Sequence, residues 1–372
     1  MNAIVEVKEG SPSGTIRGFL KNLLEKKLVD ALLVPMEVPS KKNVVQTMVK
    51  DIGGLDKADP LAPVMPVNSA KIVSSLTKLA TSKKKIGLVM RSCELRALTE
   101  LVKLKQADVA NLVLIGVDCF GTYSVSDYGV FCRENDSPTE VYLKRAKDGN
   151  DPLLRQSCRI CQHPAPLSAD ITIGLIGMDL GKEIMLQANS ETGQEMLKAL
   201  KLGDSAESSK RDAAVSALSA EKNKQRDAFV KQAQHEVGGL ENMLSEIAAC
   251  VACHNCRIAC PICYCRECLL DSPTFGEWEA EKYLEWANKK GALRMPADSL
   301  LFHLVRLNHM GGSCVACGLC EDACPNGIAV FKLFCLAGSK VQQAFDYLPG
   351  RSLEDELPLI AFKEEEFREF EK

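Results

Sequence analysis

The sequence predicts an α/β domain with a largely parallel or mixed sheet, then a helical connector, then a compact cysteine-rich module that carries an insertion. Three observations predict this. Residues 1–190 alternate strand-sized apolar runs with amphipathic helical stretches. Residues 191–245 shift to Ala, Lys, Glu, Ser and Gln. Beyond them the cysteines crowd together, seven of the chain's 17 lying between Cys250 and Cys268.

A helix beginning after Gly14 carries Ile16, Phe19, Leu20, Leu23 and Leu24 at helical spacing. Residues 30–35 (DALLVP) and 43–49 (NVVQTMV) read as strands. Ser69 is the expected N-cap of a helix carrying Ile72, Val73, Leu76 and Leu79. Residues 86–90 (IGLVM) form a strand that runs straight into Arg91-Ser92-Cys93 and a helix with Leu95, Leu98, Leu101 and Val102. Residues 111–117 (NLVLIGV), 171–179 (ITIGLIGMD) and 183–188 complete the strand set. Such β–α alternation favours parallel pairing, because parallel strands need crossover helices. The polar stretch from 191 reads either as surface helices bridging two domains or as a charged linker. The expected division is 1–190 for the α/β domain, 191–245 for the connector, 246–340 for the cysteine module with an insertion at 261–313, and 341–372 for a tail.

Size and composition bound the function. With 372 residues and 46% hydrophobic content, two or three domains with real cores are expected. A net charge of −3 gives no electrostatic case for nucleic acid or an anionic membrane surface. The first residues show no basic segment leading into an apolar one, so no signal peptide is expected. The longest apolar runs, such as 111–117, are strand-sized, so no membrane span is expected. So many thiols in a chain without export signals point to a reducing cytoplasm.

The cysteine spacing carries the chemistry. One run reads Cys250-x-x-Cys253-x-x-Cys256-x-x-x-Cys260-Pro261, and the other Cys314-x-x-Cys317-x-x-Cys320-x-x-x-Cys324-Pro325. Three cysteines at intervals of three let a tight loop wrap one face of a cubane cluster, and the proline after the fourth turns the chain away. This is the ligand spacing of a bacterial-type ferredoxin with two 4Fe-4S clusters, in which the fourth cysteine of each run serves the other cluster. The expected sets are Cys250, Cys253, Cys256 and Cys324, and Cys314, Cys317, Cys320 and Cys260. Zinc sites usually pair two short arms rather than a triple followed by Cys-Pro.

Other cysteines leave alternatives open. Cys93 and Cys119 follow the strands at 86–90 and 111–117, where ligands of α/β sheets gather. Cys158 and Cys161 form a Cys-x-x-Cys pair in a Pro-rich loop. These four hold a third 4Fe-4S cluster or are small buried apolar side chains, and spacing alone does not separate the two. Cys263, Cys265 and Cys268 open the insertion, which continues into polar helices around Trp278 and Trp286. They are further ligands, competitors of Cys260, or structural thiols beside the clusters. A redox switch built on these three thiols is a weaker idea. His303 and His309 flank the second run and read as structural. No Ser-His-Asp, Glu-x-x-His or phosphate-cradling motif competes with electron transfer.

The segments SPSGTIRGFLKNLLEKKLVDALLVP, IGLVMRSCELRAL, LIGVDCFGTYS and CRICQHPAPLSADITIG occur in an order that resembles the coenzyme F420 hydrogenase/dehydrogenase beta-subunit family. With the cysteine module behind them, the whole chain looks most like the branch attached to F420-linked formate dehydrogenase. The resemblance implies FAD beside a 4Fe-4S cluster, with hydride exchange between the flavin and coenzyme F420. It implies Cys93, Cys119, Cys158 and Cys161 as the third cluster's ligands. It also implies flavin contacts at Ser13, Gly14 and Thr15 and at Arg91 and Ser92, since backbone N–H groups and Arg suit pyrophosphate. The partner it implies is a catalytic subunit such as the alpha subunit of formate dehydrogenase. Two departures stand near the expected pocket. Arg91-Ser92-Cys93 replaces a Gly- and Pro-containing turn, and Gln162-His163-Pro164-Ala165 stands where relatives often carry Pro-Asp. They motivate a second reading, a flavin-free electron conduit and docking subunit in a heterodisulfide-reductase-type assembly.

Overall fold

A computed structural model describes residues 1–146, 151–203, 207–265, 268–271, 285, 287–289 and 297–362. Trp278 and Trp286, with most of the stretch in which helices are expected around them, lie outside them, as do Arg266 and Glu267 and the end of the tail. The chain forms two compact units. The first comprises Met1–Ala228, Val315–Gly318 and Pro349–Asp355, and the second comprises Phe229–Cys314, Leu319–Leu348 and Glu356–Lys372.

The first unit is built on strands β1 (Asn2–Glu6), β2 (Ala31–Glu37), β3 (Val44–Val49), β4 (Ile86–Arg91), β5 (Leu112–Val117), β6 (Ile171–Gly174) and β7 (Glu183–Ala188). They make one sheet of seven strands in the order β1-β7-β6-β5-β4-β2-β3. The four central strands, β6, β5, β4 and β2, pair in parallel, while β1 and β7 at one edge and β3 at the other pair antiparallel. The sheet is therefore mixed, with a parallel centre. The central strands are the ones with near-continuous apolar runs, as burial on both faces requires. In register, Arg91 faces Val117 and Val117 faces Ile173, so the carboxyl ends of β4, β5 and β6 share one edge.

Helices α1 (Pro12–Glu25), α2 (Ser69–Thr77), α3 (Ser92–Lys103), α4 (Val125–Glu134), α5 (Pro138–Ala146), α6 (Gln156–Arg159) and α7 (Glu191–Ala199) complete this unit, with the first part of α8 (Ser209–Val237). One apolar cluster joins Ile16, Phe19, Leu20 and Leu23 of α1 to the strand residues Leu32, Val89, Ile115 and Ile171.

Several boundaries differ from expectation for local reasons. α1 begins at Pro12, because Ser11 caps it through Gly14 N and Pro suits the first turn. Asn68, not Ser69, caps α2, its Oδ1 accepting from Ala70 N at 3.1 Å. Ser69 is the first helical residue, and its hydroxyl goes to Glu94. Leu76 is 54% exposed, and Leu79, 79% exposed, lies past the end of α2, so the apolar stripe of α2 is narrower than the spacing suggests. The strand expected over 171–179 stops at Gly174. The next two amides, Leu175 and Ile176, turn to the Asp118 carboxylate at 2.8 and 3.0 Å.

The second unit holds the rest of α8 and the helices α9 (Leu240–Glu246), α10 (Asn255–Ala259), α11 (Ala297–Met310), α12 (Leu319–Asp322) and α13 (Val330–Ala344). Phe331 on α13 stacks on Phe229 at 5.8 Å, and Lys332 pairs with Glu236 at 2.8 Å. No helix among the described residues is long and apolar enough to cross a membrane.

Candidate metal centre

The four thiols Cys93, Cys119, Cys158 and Cys161 line one cavity of the first unit, together with Arg91, Thr122, Arg155, Lys222 and Cys317. Chain geometry puts them there. Cys93 is the second residue of α3, directly after β4. Cys119 lies two residues past β5, and its N–H donates to Pro164 O at 2.8 Å, tying that strand end to the Cys-x-x-Cys loop. Cys158 sits on α6. Thr122 N reaches its sulfur at 3.3 Å, and the Thr122 hydroxyl in turn accepts from Arg155 Nη2 at 2.6 Å.

The electrostatics divide the four thiols. Burial pushes Cys93 well up, raises Cys119 to about 11 against the opposing Arg91 charge, and raises Cys161. Burial pushes Cys158 up too, but Arg155, the Thr122 hydrogen bonds and Lys222 outweigh it and hold this thiol below its ordinary value. Lys222 is anchored by its bond to Cys158 O at 2.7 Å. Buried thiols ringed by fixed cations suit a thiolate-ligated metal group.

Cys317 belongs to the second ferredoxin-like run, yet its loop packs in the first unit. Arg96 of α3 holds it, donating to Val315 O at 3.4 Å and to Pro349 O at 2.8 Å. Ser157 Oγ donates to Cys317 O at 3.4 Å. Gly318 has φ +77°, and a Cβ there would stand 2.2 Å from Ser157 Oγ and 2.5 Å from Ser157 Cβ. Only glycine fits. Arg96 and the buried Glu100, which accepts from Gly350 N at 2.8 Å, explain why α3 buries charged residues opposite its apolar stripe.

The residues matched to flavin separate into two places. Gly14 and Thr15 line a cavity with Val5, Lys8 and Phe19. Their amides already donate within the helix cap, to Ser11 Oγ and Ser11 O. Ser13 is buried, and its Oγ has no partner among the described residues. Arg91 lines a different, mainly apolar crevice, formed with Pro35, Val44, Val64, Met65 and Val67. It is also a wall of the thiol cavity. Its guanidinium donates to Ala62 O, and its backbone N donates to Glu94 Oε2 at 2.9 Å. Ser92 is buried at the start of α3, with no partner for its Oγ among the described residues.

In the second unit Cys250, Cys253, Cys256 and Cys324 ring one cavity with His254, Phe302 and His303. Three thiols of one run and the fourth of the other thus share a single space. The two runs match in backbone as well as sequence. Ala252 and His254 are left-handed at φ 51° and 57°, and Ala316 and Gly318 are left-handed at φ 57° and 77°. Each pair brackets the second cysteine of its run. Left-handed residues interleaved with right-handed ones turn successive N–H groups inward and form an anion-binding concavity, as iron–sulfur loops do. Cys260 ends α10, and Cys320 lies on α12, which packs against it. Cys314 O accepts from Gln342 Nε2 at 3.0 Å.

Among the insertion thiols, Cys263 is buried and pushed up to about 11 by that burial, whereas Cys265 is exposed. All 17 cysteines are free of disulfides. Among the described residues no three Cys, His, Asp or Glu side chains converge on a single metal ion.

Arg155, Thr122 and Lys222 had no sequence signal, since they meet the thiols only through folding. Arg306 and His303 of α11 also reach the second-unit thiols. Arg306 was invisible in the spacing, and His303 read as structural.

Residues 83–213 match the family described as the C terminus of the coenzyme F420 hydrogenase/dehydrogenase beta subunit. That span contains Arg91, Ser92 and the four thiols of the first-unit cavity. The chain is 26% identical over 371 residues to the F420-dependent formate dehydrogenase subunit beta of Methanocaldococcus jannaschii, covering 91% of each. It is 26% identical to F420-dependent formate dehydrogenase 1 subunit beta of Methanococcus maripaludis, covering 95% of this chain and 94% of the relative. A chain of the F420-reducing [NiFe] hydrogenase complex from Methanosarcina barkeri overlays with a TM-score of 0.44 and 14% identity, over 64% of this chain and 93% of that one. Through residues 83–213 the chain is similar to the coenzyme F420 hydrogenase/dehydrogenase beta-subunit family.

Proposed function

We propose that this chain is the flavin and iron–sulfur electron-transfer subunit of a cytoplasmic oxidoreductase complex, of the F420-linked formate dehydrogenase type. The observation that carries the reading is the single cavity shared by Cys250, Cys253, Cys256 and Cys324, the exchanged set that two-cluster ferredoxins use. A second set is Cys314, Cys317, Cys320 and Cys260, and a third is Cys93, Cys119, Cys158 and Cys161. The relatives' names support the formate dehydrogenase setting and coenzyme F420 as the two-electron carrier. Reaction at formate itself belongs to a separate catalytic subunit.

The reading puts FAD at the apolar crevice beside Arg91, because that guanidinium also walls the thiol cavity. When bound, flavin supplies the exchange of a hydride for two single electrons. The chain's own residues hold and tune. Arg91 offers a fixed charge between crevice and thiols. Glu94 accepts from Ser69 N at 3.0 Å and from Arg91 N at 2.9 Å, fixing the turn that presents Cys93. Arg155 and Lys222 favour the thiolate form of Cys158.

A flavin-free conduit is the second reading, in which the α/β unit only docks partner proteins. It is favoured by the Gly14 and Thr15 amides, which are spent within the helix cap. Anaerobically purified chain separates the two. About one FAD released per chain, with reduction of added F420, supports the first. Iron and sulfide without flavin, even after reconstitution, overturns it in favour of the second.

A further inference from the structure

α11 lies in the stretch between the two cysteine runs, which a minimal two-cluster ferredoxin lacks. His303 and Arg306 stand three residues apart on it, hence on one face. They are 1% and 3% exposed. Arg306 Nη1 lies 3.1 Å from Cys256 Sγ, and Nη2 donates to Cys256 O at 3.2 Å. Its guanidinium is sandwiched by the rings of Phe302 and Phe334, 5.3 and 4.8 Å away. Apolar walls of this kind leave the charge unscreened by water. Cys260, Cys263 and Cys320 are also within electrostatic reach of Arg306, but Cys256 dominates. His303 lines the cavity ringed by Cys250, Cys253, Cys256 and Cys324, and neither of its ring nitrogens has a partner among the described residues. Phe302 packs edge-on against it at 5.1 Å and stacks on His254 at 4.1 Å, fixing the imidazole from one side.

A buried imidazole without a partner requires one, and a neutral imidazole always carries one N–H donor. The space it faces is the one the thiols surround. Cluster sulfur is an acceptor, and N–H donors and positive charge at the sulfurs stabilise the reduced, more negative state. Resting on the iron–sulfur reading above, we propose that His303 and Arg306 are positioning residues that raise the reduction potential of the cluster held by Cys250, Cys253, Cys256 and Cys324. They make it the electron sink of the ferredoxin-like pair. Toward the second set Arg306 acts through its charge, its hydrogen bond going to Cys256, so the two clusters are unequal.

The test is an EPR-monitored redox titration of the anaerobically purified, cluster-loaded full chain. Cys253→Ser identifies the signal of the first cluster by its loss. In Arg306→Gln and in His303→Phe that signal is expected to titrate lower. At a fixed poise the reduced-to-oxidised ratio should fall at least about tenfold, which is about 59 mV for one electron. The other ferredoxin-type signal should move less. His303→Gln, which keeps an N–H donor, should recover most of the shift. Arg306→Lys keeps the charge without the fork and should fall between wild type and Arg306→Gln. It decides the Arg306 role if Arg306→Gln fails to load. Wild-type potentials in His303→Phe and Arg306→Lys at full iron content overturn the proposal. Wild-type chain without 4Fe-4S signals overturns instead the iron–sulfur reading on which it rests.

Discussion

Arg211 Nη2 lies 2.6 Å from Asp118 Oδ1, with both side chains buried, and this pair pins α8 to the carboxyl end of β5. The other Asp118 oxygen takes the amides of Leu175 and Ile176, so one carboxylate fixes β5, the end of β6 and the helix together. A Cβ on Gly174 would stand 2.4 Å from Arg211 Nε, so the glycine makes room for the guanidinium. Cys119 follows Asp118 directly, and the pair therefore also sets where that thiol stands.

Removing one partner leaves an unpaired buried charge. Arg211→Leu should destabilise the first unit by about 3–5 kcal/mol. Chemical denaturation of the wild type and variant measures this. A cost within the noise would mean that the pair is neutral and that the backbone bonds of Asp118 alone hold the strand end.

The first-unit cavity makes a stoichiometric prediction. Cys93→Ala should lower iron and sulfide by about four atoms each, the content of one cubane cluster. Cys119→Ala should remove the same signal, since both thiols line the same space. Unchanged iron in both variants would make these cysteines buried apolar side chains.

Exchange of the fourth ligand is separately testable. Cys324→Ser should perturb the signal that Cys253→Ser abolishes, not the one that depends on Cys314. Cys324 stands in the cavity of Cys250, Cys253 and Cys256, although it belongs to the other run. Pairwise comparison of the EPR spectra checks this, and a Cys324→Ser spectrum matching that of Cys314→Ser would reverse the assignment.

Gly318→Ala should displace the Cys317 loop, because the added Cβ meets Ser157 and the backbone is left-handed. The expected cost is about 1–3 kcal/mol. The control is Gly327→Ala, also left-handed at φ +65° but with nothing within 4 Å of the added carbon. An equal loss in both would assign the effect to backbone conformation rather than to the Ser157 contact.

Asp59 gives a pH signature. Burial raises its pKa above 3.8, against the opposing Thr139 hydrogen bond and Arg17 charge. Its Oδ1 has no hydrogen-bond partner among the described residues. The folded chain thus holds this proton more tightly than the unfolded one. The stability it contributes is full below pH 3.8 and is lost as pH rises through the folded pKa. Asp59→Asn escapes that loss, so its gain in Tm over wild type should never shrink as pH rises from about 5 to about 8. A gain that falls with pH would contradict the raised pKa.

Local and periodic features were legible in the order of residues alone. Apolar runs marked the central strands, because a strand buried on both faces must be apolar throughout. The two cysteine runs were legible because ligand spacing is a property of one loop wrapping one face of a cluster. The ends of β4 and β5 could be marked as the place to search, since parallel strands present their carboxyl ends together. Tertiary structure decided the rest. Arg155, Lys222 and Arg306 gave no sign in the sequence of the thiols they face, and a long basic side chain reads the same whether solvated or buried beside sulfur. Cys317 reads as a member of the second run, but Arg96 and Ser157 decide where its loop packs. Asn68 caps α2 in place of the expected Ser69, whose hydroxyl goes to Glu94, and Ser11 caps α1 ahead of the start expected after Gly14. Electrostatic contacts of this kind depend on distance through space, which chain order does not record.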